Sequence, residues 1–269
     1  MVKKYWYIIG IGVQNTLVYR VNFLLRALFG LIPLTATIFL WKAVFAEKAE
    51  GSTVAGYTLA SMVSYYLVVT VVDALTAVTE DDWQISADIK DGNINQFLLK
   101  PVDYLRYRLC LFVAGRFVYL AAAAVPVAVF VLVQREYFVI PVHAMTWVWF
   151  AGSIIMAALL NFFISYSMAM LAFWVVEIST FIFILFAFEY IAGGHLFPVD
   201  IMPAGLLEVL NWTPFPYQLF FPVSVYLERS QGLGLWRGLG IQFFWVIFFF
   251  GLARLAWSRG VRKYTAVGG

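Results

Sequence analysis

The chain has 269 residues, of which 63% are hydrophobic, 19% aromatic and only 12% charged, with a formal net charge of +3. A water-soluble domain of this size needs a far more charged surface, so the composition specifies an integral membrane protein with no room for a second soluble domain. The small net charge gives no polyanion-binding surface, and nucleic acid is not expected as a partner. Cys110 is the only cysteine, which excludes an internal disulfide and any multi-thiolate metal site.

The chain begins MVKKYWYIIGIG, basic then apolar. No small-residue cleavage site follows before Arg20 and Arg26, so this start is read as retained and not as a signal peptide. At about 100° per residue, Val13, Leu17, Val21, Leu24 and Leu28 fall on one side of a helix, with Asn15, Tyr19, Asn22 and Arg26 opposite. Tyr5, Trp6 and Tyr7 add rings suited to the headgroup layer. The pattern predicts an interfacial amphipathic helix over residues 1–26, lying along the inner membrane surface. The alternative is the start of one long first span.

About 20 apolar residues cross the hydrocarbon core as a helix. Six such segments can be drawn, over 27–45, 54–79, 109–133, 145–175, 178–191 and 235–257. The fifth looks short, and only a tight turn around 174–177 separates it from the fourth. Ionisable residues well inside the spans are few, and three are singled out: Asp73 near the inner end of the second, Arg116 in the third, and Glu189 near the outer end of the fifth. Such residues are functional candidates by default, and Asp73 and Arg116, at similar depth on antiparallel helices, are expected to pair. Ser153, Asn161, Ser165 and Ser167 read as helix–helix hydrogen-bonding groups. Of the 18 Lys and Arg residues, twelve fall on the side carrying both termini and the loop after the second span, and five on the other. That bias puts both termini and the loop in the cytoplasm.

The loop itself, residues 80–106, is the most polar long stretch of the chain. Asp81 and Asp82 favour a helix N-terminus and Gly92 suits the residue just past a helix end. Between them, WQISADIKD makes a short helix with Trp83, Ile85 and Ile89 available to pack. Lys100-Pro101 breaks the chain, and Asp103 is placed to cap the third span. On pattern alone the loop is either a helix lying across the inner membrane face or a solvated connector.

Residues 192–234, between the fifth and sixth spans, carry Pro198, Pro203, Pro214, Pro216 and Pro222. Each proline removes a backbone donor, which rules out a spanning helix, yet the segment is too apolar for an ordinary solvated loop. Short helices over 203–211 and 217–226 are expected. They form either a re-entrant hairpin in the outer leaflet, covering a passage, or an amphipathic surface loop.

No G-x-x-x-x-G-K-S/T motif occurs, so the chain has no P-loop with which to bind ATP. H-E-x-x-H and G-x-S-x-G are also missing, and His143 and His195 read as interfacial residues near the outer side. No ladder of acids crosses the spans, which gives proton-relay transport little support. A membrane-embedded lipid-modifying enzyme using His195, Asp200 and Glu189 is a competing class, and a scaffold without transport activity is a third.

Two stretches carry a family resemblance. ISADIKDGNINQFLLKPVDYLRYR follows the second span, and within it Ile89, Gly92, Ile94, Phe97, Leu98, Leu99 and Pro101 form an I-x-x-G-x-I-x-x-F-L-L-x-P run. GGHLFPVDIMPAGLLEVLNWTPFPYQ follows the fifth span. With the amphipathic start and six-span layout, the chain resembles the permease subunit of type-2 ATP-binding-cassette exporters, in the subgroup often encoded as paired permeases. The resemblance implies an all-α fold with an N-terminal interfacial helix, six transmembrane helices and an outer re-entrant helical hairpin. It further implies that Asp81, Asp82, Trp83, Ile85, Ile89, Asp91 and Gly92 couple the permease to a separate ATPase, apolar side chains filling a groove and acids meeting basic rims. Two ATPase subunits would bind ATP and Mg²⁺, leaving this chain without cofactor or metal, and a second permease, identical or not, would complete the passage in the cell's inner membrane. The aromatic-rich spans favour an amphiphilic or hydrophobic cargo among membrane lipids.

Overall fold

A computed structural model describes residues 2–49, 51–78 and 81–264. Apart from one isolated bridge between Val54 and Tyr57, the described residues form helices and turns. In chain order the α-helices are α1 (Val2–Leu17), α2 (Arg20–Ala46), α3 (Leu59–Thr76), α4 (Asp81–Lys90), α5 (Asn95–Leu98) and α6 (Tyr104–Val133). They continue with α7 (Ala144–Ala169), α8 (Ser179–Ala192), α9 (Ala204–Leu210), α10 (Phe220–Tyr226) and α11 (Gly232–Lys263). The chain is an all-α membrane protein. Among the described residues, five helices are long and apolar enough to cross a bilayer: α2, α3, α6, α7 with its 3₁₀ extension to Phe173, and α11.

The sixth apolar helix, α8, has 14 residues. At about 1.5 Å per residue it covers about 21 Å, short of the ~30 Å hydrocarbon core. The chain that follows α8 therefore begins inside the bundle. Its backbone groups are satisfied there: Tyr65 donates from its hydroxyl to the Gly194 carbonyl at 2.6 Å, and Tyr66 to that of Leu196 at 2.9 Å. Gly194 has φ +98°, and a Cβ there would lie 2.6 Å from the Tyr65 hydroxyl. The expected short helices appear as α9 and α10, and every residue of α10 from Phe221 to Tyr226 is buried. This fits the rule that broken backbone in an apolar layer must be covered by protein.

The amphipathic start differs from expectation. α1 ends at Leu17, Val18 and Tyr19 form a turn, and Arg20 to Arg26 are the first turns of α2. The expected stripe thus crosses a break. Leu17, Val21, Leu24 and Leu28 remain exposed on the outside of the bundle. α1 meets α6 through another face centred on the buried Gly12, where a Cβ would come within 2.9 Å of the Ala114 Cβ.

α3 and α7 form the centre and are more than half buried along their apolar lengths, whereas α2, α6 and α11 are mostly exposed on the outside. Gln242 of α11, fully buried, ties that centre together. Its amide donates to the Ser153 and Tyr217 carbonyls at 3.0 and 2.9 Å and accepts from the Ser153 hydroxyl at 3.0 Å. Asn161 donates to the Thr76 carbonyl at 3.2 Å. Asp103 caps α6 as its sequence position suggests, accepting from the Arg106 N–H at 2.9 Å, and it also pairs with Arg254 of α11. Burial raises the Asp103 carboxyl, but the hydrogen bonds from Arg254 and the Arg106 N–H outweigh it and hold the group below the usual carboxylate range.

Candidate functional site

α4 is held by its own chain. Ile85 and Ile89, expected to fill a groove on a partner, are 0% and 3% exposed, and they pack α4 against α7 and the 3₁₀ turn after it. A helix lying flat on a bundle must bury one apolar stripe somewhere, and here the bundle takes it. Arg108, on the second turn of α6, secures the helix laterally. Its guanidinium pairs with Asp88 at 2.8 Å, reaches Gln84 Oε1 at 3.2 Å and donates to the Tyr104 hydroxyl at 3.0 Å. Tyr104 in turn donates to Asp88 at 2.7 Å. Gly92, at φ +79°, makes the turn out of α4, a conformation that side chains with a Cβ resist.

What α4 leaves outward is Trp83, Gln84, Ala87 and Lys90, followed by Asp91. Trp83 is 46% exposed, unusual for so large an apolar ring. Asp82 turns inward, accepting from the Trp83 N–H at 2.9 Å, and burial pushes its carboxyl up. Asp81 belongs to α4, but its side chain lies outside the described structure, as do residues 79 and 80.

Behind α4 opens a cavity of about 130 Å³ lined by five parts of the chain. α3 contributes Asp73, α4 Asp82, α7 Asn161 and Ser165, and α8 Glu189, Phe186 and Tyr190; His195 and Gln218 come from the segment between α8 and α11. Asp73, expected to pair with Arg116, meets His195, whose Nε2 lies 3.1 Å away. The shortness of α8 is the cause. It brings His195, expected near the outer side, back to within three residues of the end of α3. Arg116 has its guanidinium over the Phe112 and Tyr119 rings, at 5.8 and 5.4 Å. Glu189, expected at the outer end of its span, faces the same cavity and accepts from the Gln218 amide at 2.8 Å.

Asp200, the third residue of the competing enzyme reading, belongs to a different cluster. It accepts from the Tyr57 hydroxyl at 2.9 Å and pairs with Arg229 at 2.9 Å; that guanidinium sits 3.7 Å from the Tyr57 ring centre and donates to the Gly56 carbonyl. The cluster ties the α2–α3 connection to the segment between α8 and α11. Arg108, Gln218 and Gln242 belong to no sequence motif that marks them out. The two glutamines carried a usable signal, each a lone amide in an apolar run, whereas Arg108 looked like one more basic residue of a polar loop.

The fold defines a helical membrane protein with a proline-broken segment folded back between α8 and α11, a polar cavity and a short helix mounted across one end. A family profile described as ABC-2 family transporter protein matches residues 31–268. The chain belongs to that family and is a membrane permease subunit of an ABC transporter, a role that implies an ABC ATPase as partner. Comparisons with curated proteins and with solved structures gave no match.

Proposed function

We propose that this chain is one half of the membrane passage of an ABC exporter, with α4 as the element that receives motion from the ATPase. Two copies of the ATPase, carrying ATP and Mg²⁺, drive two permease subunits, and an amphiphilic or hydrophobic substrate moves outward. The observation that carries this reading is the division of α4 into two faces. Its inner face is locked by Ile85, Ile89 and Arg108, while its outer face offers Trp83, Gln84, Ala87, Lys90 and Asp91 to another protein. A lever needs that combination, because a contact that slid on its own bundle would transmit nothing. In this reading both termini are cytoplasmic, residues 80–106 form the coupling loop, residues 192–234 the outer re-entrant segment, and residues 1–26 contain the interfacial helix.

The direction of transport is tested in inside-out membrane vesicles loaded with this permease and its ATPase. Addition of ATP should drive accumulation of fluorescent amphiphiles in these vesicles and not in right-side-out ones. The opposite pattern would contradict export.

A further inference from the structure

The cavity behind α4 has a chemical bias. Among its described lining residues are three carboxylates, Asp73, Asp82 and Glu189, one imidazole, and no Lys or Arg. Two side chains that line it are more than nine-tenths buried and carry polar atoms without a partner: Gln218, 5% exposed, through Oε1, and Ser165, 8% exposed, through its hydroxyl. Asn161 Oδ1 lacks a partner as well. The amide orientations are fixed by what the other end does. Gln218 must turn its NH₂ to the Glu189 carboxylate, and Asn161 its NH₂ to the Thr76 carbonyl. The oxygens left over are therefore acceptors. A buried acceptor without a donor costs free energy, and three carboxylates in one cavity repel one another. One kind of ligand relieves both: a cation that carries N–H groups.

We propose that this cavity binds the protonated amine of the transported substrate, so that the permeant class is an organic cation with an apolar or aromatic body. The inference rests on reading the chain as a transport passage and adds the charge and shape of what passes. A volume of about 130 Å³ is below the ~300–1,000 Å³ of sites that enclose a whole drug-sized molecule. It holds a charged head. The body lies against Ile182, Leu185, Phe186 and Tyr190 on the cavity side of α8. The ammonium meets Glu189 and Asp73 first, and Gln218 Oε1 and Ser165 accept its remaining hydrogens. Because His195 belongs to the re-entrant segment and Asp73 to α3, a cation arriving at Asp73 competes directly with the contact that joins those two elements.

The test uses the full chain in lipid nanodiscs without ATPase or nucleotide. Three probes of equal size are titrated at pH 7: 2-phenylethylammonium, 2-phenylethanol and phenylacetate. The ammonium should bind at least about tenfold more tightly than either of the others, equivalent to about 1.4 kcal/mol. Glu189→Gln and Asp73→Asn should each weaken the ammonium severalfold and leave the alcohol unchanged. Equal binding of ammonium and alcohol, preference for phenylacetate, or no ammonium binding would overturn the proposal. So would displacement of the ammonium by an equal concentration of K⁺, since the body would then contribute nothing. Should either variant fail to fold, the discrimination among probes by the unaltered chain decides alone. Cation preference in nanodiscs without ATP-driven export would keep this site and contradict the export reading. Export of neutral or anionic amphiphiles without cation preference would do the reverse.

Discussion

Arg108 shows how one side chain decides what a loop can do. Its side chain is 5% exposed and serves Asp88, Tyr104 and Gln84 together, so its removal takes the counter-charge from Asp88 and a donor from Tyr104 and Gln84, while the Tyr104 hydroxyl still donates to Asp88. Breaking a buried ion pair costs about 3–5 kcal/mol, and the partial exposure of Asp88 brings the expectation for Arg108→Met down to about 2–3 kcal/mol. Thermal unfolding of the purified permease in detergent reads this as a lowered midpoint, with α4 the first element to lose protection from hydrogen exchange. Gln242 is a second case. Gln242→Leu fills the space but strands the Ser153 hydroxyl and the Tyr217 carbonyl, at about 1–3 kcal/mol. Ile89→Asp belongs with these and not with docking. At 3% exposure the new carboxylate would be buried in the bundle, and the variant should fail to reach the membrane in folded form, as read by size-exclusion recovery. Trp83→Ala, on the opposite face of the same helix, should leave recovery unchanged. Residue type and spacing showed that Ile85, Ile89 and Trp83 could pack. Only tertiary structure could assign the isoleucines to this chain and leave the tryptophan for another.

Between elements, glycines and loop carboxylates set how close and how firmly the helices meet. A Cβ on Gly238 of α11 would lie 2.1 Å from the buried Phe221 ring of α10. Gly238→Val should therefore push α10 out of place and reduce folded yield, and Phe221→Ala in the same chain should restore part of it. At the turn between α10 and α11, Glu228 accepts from the His143 N–H at 2.9 Å and the Thr146 hydroxyl at 2.8 Å, clipping the start of α7 to that turn. Chiefly through the His143 N–H bond, its carboxyl falls from 4.5 to about 2. A lowered folded value means the clip is fully present above the unfolded value and is lost as pH falls towards about 2. Acid unfolding in this window should be less steep in Glu228→Gln, measured by intrinsic fluorescence. The spans, the Asp103 cap and the proline-broken segment were legible because each rests on local chemistry: apolar length, a short side chain before a helix, missing N–H groups. The break at Val18–Tyr19 was not, since an apolar stripe continues through it and no proline or glycine marks the turn. Nor was the meeting of Asp73 with His195, 122 residues apart, because it depends on α8 ending part-way across.

At the scale of the molecule, the fold is a bundle with two differently built ends and an acidic cavity between them. Orientation rests on the distribution of Lys and Arg. With Cys110 replaced by serine, single cysteines at the exposed positions Thr53 and Leu233 should react with an impermeant thiol reagent in intact cells, and one at Asn93 should react only after permeabilisation. The central claim, that the outward face of α4 carries the contact with the ATPase, has a more direct test. The tagged full chain and its Trp83→Ala variant are purified from their native membrane, and the co-purifying ATP-binding subunit is quantified against permease recovered. Truncating an interface anchor commonly costs about 2 kcal/mol, a weakening of about thirtyfold. The account predicts an ATPase bound to the unaltered chain and largely lost from the variant, with folded permease recovered equally from both. Equal retention of the ATPase by both chains would contradict it.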